Sequence, residues 1–595
     1  MIARLLHLSL RHRRLVLAVW VAVVVAGFAA APILFGRLTS EAGSIDNSES
    51  GRAALAVWKA APQGEVIFAV ADGRAASDPG LRASVDAVAA RLSLLPTVAG
   101  VTTPWTGVGA GAAPHAAAVA RDGRAVGIIV VLRPGLDDGP AIDTVASELR
   151  TIDTPSVLLG GDPLLHNEMD AQAAHDLARA ELLSMPVVLV LLLVIFGGIV
   201  AAGLPVLVAI VGVAATLGAL AVASLFSDVS VYSVNIVTML GLGLAVDYAL
   251  LLVSRFREER AVDPDVELAL RRTLATAGRT VAFSGLTVAA SLAGLLVFPD
   301  HFLKSMGLAS LVVVLLDMIA ALTLLPALLG VVGHRISPAR RAPSERGLFV
   351  LLTRVVRPRR VVVIALITAT LAVAATPFLG VRFANPDSRA LPASSESRRV
   401  NELVHSRFDD PGDVAPVTVV ARGSIDRDAI STYVASLRGL DGVRGVTVRT
   451  GVPGMTVIDI APAGAAQGPT AMRLVREVRG LDSPVPVEVA GDAAELVDYE
   501  SALVSRLPWA VAIMALATFV LLFLFTGSVV VPAKALVMNL LSLGAGFGAL
   551  VLVFQDGHFG GLVGTEALGS LSVTTPVLVF AIAFGLSMDL SLIHI

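Results

Sequence analysis

Apolar residues run along this chain in blocks too long for a soluble core. Ten blocks approach or exceed the roughly 20 residues that a helix needs to cross a bilayer. They lie at about 15–35, 182–201, 203–226, 229–254, 281–298, 305–333, 361–379, 508–526, 529–554 and 571–590. After the first and seventh blocks the pattern changes to short strands and amphipathic helices. Positions 36–181 read as strand "EVIFAV", helix "DPGLRASVDAVAARL", strands "VAGVTT" and "RAVGIIVVL", helix "GPAIDTVASELR" and strand "SVLLGG". Positions 380–507 read as strand "VTVVAR", helix "DRDAISTYVASL", strands "VRGVTVR" and "MTVIDI", helix "GPTAMRLVREVR" and strand "VPVEVAG". Both give βαββαβ, the order of a ferredoxin-like unit.

The pattern repeats. "RHRRLVLAVW" from Arg11 matches "RPRRVVVIAL" from Arg357, and "GGD" ending at Asp162 matches "AGD" ending at Asp492. "GLAVD" ending at Asp247 matches "GLSMD" ending at Asp589. Each half is one span, one polar domain, then a block of spans, and both halves start from the same side. The repeat is therefore parallel, about an axis along the membrane normal. Six spans fill the first half and four the second, so a 6+6 plan with about ten spans present is expected. The expected divisions are a first span (1–35), an outer domain (36–181), spans two to six (182–333), a linker (334–360), span seven (361–379), a second outer domain (380–507) and spans eight to ten (508–595). After Asp247 the chain runs into a charged stop, whereas after Asp589 it reads "LSLIHI" and ends. That tail matches the translation of a transposon end used in preparing sequencing libraries. The expectation is a C-terminally truncated chain with a non-native tail, which re-sequencing the locus would test.

Composition agrees with the spans. The 595 residues are 55% hydrophobic and 16% charged, with a mean hydropathy of +0.80. The net charge of −3 and the lack of a basic stripe give no sign of nucleic acid. With no cysteine, disulfides, thiolate metal sites and cysteine nucleophiles are excluded. Arginine places the chain in the membrane. Arg4, Arg11, Arg13 and Arg14, then Arg255, Arg257, Arg260, Arg271 and Arg272, then the 334–360 linker all fall on one side. That side is read as the cytoplasm, with the first run as an uncleaved anchor. The two polar domains are then extracytoplasmic.

Asp247 is the sharpest candidate for chemistry. A charged Asp at a helix centre costs roughly 2.5–3.5 kcal/mol on insertion scales, so such a residue stays neutral, finds a partner or faces a wet cavity. A carboxyl so placed is able to take up and release a proton. Tyr248 adjoins it as a hydrogen-bond donor. Gly241 and Gly243 are expected to let neighbouring helices pack closely, Gly243 on the face of Asp247. A buried Asp that merely joins helices is the competing reading. Its recurrence as Asp589 weighs against that, because two carboxylates near a repeat axis would titrate as a pair.

These segments resemble the MMPL transporters of the resistance–nodulation–division (RND) superfamily. "GLGLAVDYALLLVSRFREE" looks like the family's fourth-span signature. "TAGRTVAFSGLTV" from Thr276 and "LTLLPALLG" from Leu322 resemble its fifth and sixth spans. "VPAKALVMNLLSLGAGFG" from Val531 and "FAIAFGLSMD" from Phe580 resemble its ninth and tenth. The resemblance covers nearly the whole chain. It implies a polytopic α-helical membrane protein with twelve spans, two extracytoplasmic porter domains and transport driven by the proton gradient. In that family Asp–Tyr pairs on the fourth and tenth spans face each other as a proton relay. Asp247 and Tyr248 match the first pair and Asp589 the second Asp, while Leu590 stands where the second Tyr would be. The implied setting is a bacterial inner (plasma) membrane with a cytoplasmic N-terminus. The implied cargo is a lipid or other hydrophobic small molecule. No cofactor besides the gradient is implied, and a homo-oligomer is left open.

Other polar residues carry milder expectations. Ser284 and Thr287 are read as bonding back to their own helix, with facing the relay as the alternative. For Asp317, deep in the sixth span, proton access and a lone acid with a hydroxyl partner both stay open. Asn235 and Asn539 are read as packing residues, and Asp228 as a cap of the fourth span. The segment from Ser254 to Thr280 is read as a connector with an amphipathic helix on the inner surface. His115, in a Gly/Ala-rich loop, is assigned no metal. No nucleophile elbow, HExxH or P-loop occurs, which argues against a lipid enzyme or an ATP-driven pump in this chain. A non-transporting sensor or scaffold, and a proton-driven protein-export auxiliary, remain as rivals to an exporter.

Overall fold

The computed structural model describes residues 11–39, 45, 47–105, 107–108, 119–136, 139–338, 356–408, 416–423, 427–449, 451–563 and 567–592. The helices are α1 (Arg13–Phe35), α2 (Glu49–Ala60), α3 (Pro79–Ser93), α4 (Gly139–Leu149), α5 (Asp162–Phe196), α6 (Ile199–Ala223), α7 (Tyr232–Val262), α8 (Val266–Ala293), α9 (His301–Val332), α10 (Arg360–Ala375), α11 (Glu396–Arg407), α12 (Arg427–Arg438), α13 (Pro469–Gly480), α14 (Asp492–Thr526), α15 (Val530–Leu550) and α16 (Thr574–Leu592). The strands are β1 (Leu38–Thr39), β2 (Val66–Asp72), β3 (Val98–Thr102), β4 (Gly107–Val108), β5 (Ala125–Leu132), β6 (Ser156–Gly160), β7 (Val229–Ser230), β8 (Val417–Arg422), β9 (Val443–Arg449), β10 (Met455–Pro462) and β11 (Val487–Ala490). They form two units, each drawn from both halves of the chain. One comprises Met1–Gly43, Leu177–Phe383 and Ala502–Ile595, the other Ser44–Asp176 and Ala384–Ser501.

The helical unit holds the apolar blocks. Among the described residues nine helices are long and apolar enough to cross a membrane, counting the short turns that extend α8, α9, α10 and α15. The tenth block forms α16. Helices α6 to α9 bury much of their surface against one another, whereas α10 has no buried residue and α1 few. Backbones meet where side chains are small: a Cβ on Gly27 of α1 would strike Ala214 O of α6. In the second half a Cβ on Gly548 of α15 would strike Ala374 O of α10. Just after α1, β1 pairs in parallel with β7, as Leu38 with Val229. Just after α10, Phe383 forms a parallel bridge with Leu571. The two halves thus share small contacts that the apolar pattern does not carry.

The other unit contains two α+β subdomains. Strand order is β4-β3-β5-β2-β6 in the first and β11-β8-β10-β9 in the second, every named pairing being antiparallel. Leaving β4 aside, both follow the order of the split βαβ unit. Each sheet packs one face on its two helices. Ile67, Ala69, Ile128 and Val130 meet Val85, Leu92, Val145 and Leu149 in the first core. Val419, Ile458, Ile460 and Val489 meet Leu437, Ala471, Val475 and Val478 in the second. Alternate residues along these strands face those cores, while Val70, Ala125 and Leu158 on the other face of the first sheet meet Val400 of α11.

Two helices were not legible as part of these subdomains. α2 precedes the first sheet in sequence but packs on β11 of the second; α11 precedes the second but packs on β6 of the first. The exchange is reciprocal down to single atoms. Glu396 Oε1 accepts the Leu159 N–H at 2.9 Å and its Oε2 takes Arg150 at 2.7 Å. Glu49 Oε1 accepts the Val489 N–H at 2.9 Å and takes Arg479 Nε at 3.2 Å. Each Glu therefore satisfies a backbone donor on the edge strand that its helix covers. Six residues into α5 and α14, Glu168 and Asp498 accept the backbone N–H groups of Ser397 and Ser50. α11 is also held by Arg407, which reaches Asp72 at 2.8 Å and Asp122 at 2.7 Å. The Arg124 backbone N–H, with Arg407 adding to it, holds the Asp122 carboxyl below its ordinary value. Burial works against the Arg407 charge, but its bonds to Asp72 and Asp122 outweigh that and raise its value.

Several boundaries differ from the apolar pattern. α5 and α14 begin at Asp162 and Asp492, some 16 to 20 residues before their apolar blocks at 182 and 508. Each starts with an acid, which favours a helix N-terminus. Each follows a glycine at φ +119° (Gly161) or +99° (Gly491). A Cβ on either would strike the backbone oxygen of Val66 or Pro416, so the sharp exit from the sheet needs glycine at both places. The expected surface helix after the fourth span is not separate. α8 starts at Val266, capped by Asp265 Oδ1 on the Glu267 and Leu268 N–H groups, and runs unbroken to Ala293. No proline interrupts it, so the charged turns and the apolar span form one rod. Asp228 is not the cap of α7: the N-cap is Val231, without a side-chain bond, because the preceding residues pair with β1. Positions 339–355 of the expected basic linker, and His115, lie outside the described residues.

Candidate functional site

The candidate relay sits on α7, which carries Asp247 and Tyr248 midway along its length. Asp247 is half-buried, whereas Tyr248 is only 2% exposed. Leu, Ala and Val flank them on both sides, and those residues form helix readily in an apolar setting. The neighbouring glycines split in role. Gly241 lies against α9, where an added Cβ would stand 2.7 Å from Val313 Cγ2. Among the described residues Gly243 does not serve close packing: it is exposed, and an added Cβ would meet nothing within 4 Å. Among the described residues its position projects away from α6, α8 and α9, the helices that α7 packs against, so the expectation for Gly243 is not met.

The partner helix is held from two sides. α16 packs on α8, where Ser291 Oγ donates to Ala581 O at 2.9 Å and a Cβ on Gly585 would lie 3.3 Å from that of Ser291. On its other side Asn539 Nδ2 of α15 donates to Phe584 O at 3.0 Å. Asn539 is thus the packing residue that its sequence setting suggests. Asp589 lies on α16. Its side chain falls outside the described residues, as does that of Leu590, so the juxtaposition of Asp247 and Asp589 rests on the repeat alone.

On α8, Thr287 Oγ1 donates to Phe283 O at 2.8 Å, the own-helix bond read from sequence. Ser284 is buried at 2%. Asp317 is fully buried on α9, and among the described residues neither of its carboxyl oxygens has a hydrogen-bond partner. The expected hydroxyl partner is therefore missing, since Thr216, the hydroxyl on facing α6, donates to Gly212 O of its own helix. Sequence reading missed Ser291 and Gly585, whose pairing appears only once α8 and α16 are side by side. Among the described residues no cluster of three His, Asp or Glu is arranged to hold a metal ion.

Among the described residues, nine apolar helices of membrane-crossing length, with Asp247 set inside α7 and Asp317 inside α9, define a multi-pass helical membrane protein. The chain belongs to the MMPL family, whose model matches residues 39–378 and 426–595. It is 46% identical over its whole length to a putative membrane protein of Streptomyces coelicolor, covering 83% of that relative. It is 32% identical over 75% of its length to the trehalose monomycolate exporter MmpL3 of Mycobacterium tuberculosis, covering 52% of it. It is 30% identical over 70% of its length to the mycolic acid-containing lipids exporter MmpL11 of Mycolicibacterium smegmatis, covering 46% of it. The chain thus spans about half the length of the mycobacterial relatives.

Proposed function

We propose that this protein exports lipid-like or hydrophobic molecules across a bacterial inner membrane, driven by the proton-motive force. The observation that carries the reading is the titratable Asp247, with Tyr248 beside it, inside an apolar helix of a chain related to lipid exporters. In this reading Asp247 binds and releases the proton, Tyr248 orients or passes it, and Asp589 is the matching acid on α16. The helical unit then follows a parallel 6+6 plan with a cytoplasmic N-terminus, and the two α+β subdomains are extracytoplasmic porter domains. Proton binding removes a charge from the membrane interior. That changes the relative energy of helix arrangements, which is how a proton gradient biases a conformational cycle.

The test is reconstitution in liposomes with a fluorescent fatty-acyl lipid as cargo. Imposing a pH gradient should drive cargo movement, and a protonophore should stop it without ATP playing any part. Movement that continues after the gradient is collapsed would overturn the driving force. No cargo movement from correctly folded protein would favour a sensor or scaffold on the same fold.

A further inference from the structure

We propose that Asp317 is a proton-binding site of the helical unit, distinct from Asp247, whose proton exchanges only when α6 and α7 draw apart from α9. The inference goes beyond the export reading and does not rest on it. Two glycines make the seat. A Cβ added to Gly212 of α6 would strike Asp317 Oδ1, and one added to Gly241 of α7 would lie 3.6 Å from Oδ2. The carboxyl therefore fills the space that two missing side chains leave on facing helices. It is fully buried and, among the described residues, without a hydrogen-bond partner.

Among the described residues an ionised carboxylate in that seat has nothing to offset the loss of water, which is costly even after relaxation. The neutral acid avoids most of that cost. Among the described residues no cation from the packed elements stands in for a proton. α6 has no titratable residue along its length. On α7, Asp247 and Tyr248 lie six and seven residues beyond Gly241, roughly 9–11 Å along the axis. The remaining charged groups of α7 begin at Arg255. α1 offers Arg13 and Arg14 at its start, and Arg13 is bonded to Gly330 O. α8 offers Glu267, Arg271, Arg272 and Arg279 in its first half, and the turn after it has no titratable residue. On α9, Lys304 and His301 lie thirteen or more residues before Asp317, roughly 20 Å away along the axis. β7 adds no titratable residue, and His334 and Arg335 follow the far end of α9. A metal cation would need several oxygen ligands, whereas Thr216 turns its hydroxyl onto Gly212 O. A proton is the occupant that this seat fits. Because both facing helices touch the carboxyl through glycine, water reaches it only when they separate.

The test is infrared spectroscopy of the full chain in lipid nanodiscs, in the Asp247→Asn background. A protonated-carboxyl band should be present at about pH 7, where an exposed Asp is ionised. Asp317→Asn should remove one carboxyl's worth of that band; Asp317→Val serves if the amide variant does not accumulate. In D2O the band should shift at least about tenfold more slowly than those of exposed acids, because exchange needs local opening. Gly212→Ala, which crowds Oδ1, should speed that shift. A protonated band unchanged by both substitutions at Asp317, or an Asp317 carboxylate ionised at neutral pH, would overturn the proposal. Transport that ignores Asp247→Asn would sink the export reading while leaving these spectra to stand.

Discussion

Replacing Glu396 with Ala should undock α11 from the first sheet, and its size follows from the two bonds that the carboxylate makes. One bond, to the Leu159 N–H, reaches a half-buried edge strand at 2.9 Å. The other, to Arg150, joins a carboxylate 25% exposed to a guanidinium 55% exposed. A hydrogen bond to a charged group contributes about 1.5–3 kcal/mol. The exposed ion pair adds at most about 1 kcal/mol. Glu396→Ala should therefore weaken docking by roughly 2–3 kcal/mol. Glu396→Gln, which keeps an acceptor for Leu159 but loses the charge, should cost roughly 1 kcal/mol. The assay is amide hydrogen exchange at β6 and along α11, which reports local opening directly. Roughly 30- to 150-fold faster exchange at Leu159 corresponds to the Ala estimate, at 1.36 kcal/mol per tenfold. The reciprocal Glu49→Ala should do the same at Val489 on β11. Unchanged exchange at Leu159 in Glu396→Ala, or an effect at Glu396 with none at Glu49, would refute the idea of two equivalent clasps.

Gly161→Ala should destabilise the first subdomain by at least about 2 kcal/mol, through positive-φ strain and collision with Val66 O; a denaturation midpoint equal to that of wild type would contradict it. The Arg407 clasp should depend on acid in one direction. Because the Asp122 carboxyl is held below its ordinary value, its contribution is complete above the ordinary carboxylate range. That contribution is lost as pH falls through the lowered value. Exchange at the end of α11 should then rise on acidification in wild type, and Asp122→Asn should remove that dependence. Ser291→Val should loosen α16 by roughly 1 kcal/mol through loss of the bond to Ala581 O, read as faster exchange at α16 amides with α1 unaffected.

The sequence carried the units of this fold well and their partnerships poorly. Strands such as Val417–Arg422 and Met455–Pro462 stand out as short apolar, β-branched runs between polar stretches, and the first is buried at almost every position because Val420 on its second face meets Ala53 of α2. The apolar blocks mark the spans for a comparable reason: hydrocarbon tolerates few polar groups. The same reading placed the starts of α5, α8 and α14 too late, because it follows hydrophobicity, and a helix continues wherever its backbone bonds and caps allow. α2 and α11 are short, and their apolar positions face a sheet far away in sequence, so nothing local says which subdomain they join. At the site, Asp247 stood out because an acid in an apolar run is costly. The seat of Asp317 did not, since Gly212 and Gly241 are ordinary helix residues until three helices are placed together.

The central claim is that Asp247 couples proton entry to export. One charge crossing the field is worth roughly 2.3 kcal/mol per 100 mV. At about 150 mV that supports a cargo gradient of a few hundredfold per proton, with 1.36 kcal/mol to each tenfold. The direct measurement is the steady-state lipid gradient held by liposomes containing wild type or Asp247→Asn at equal abundance and under the same imposed proton-motive force. The account predicts that the substitution collapses the gradient to that of empty liposomes. A gradient of wild-type size in Asp247→Asn would contradict it.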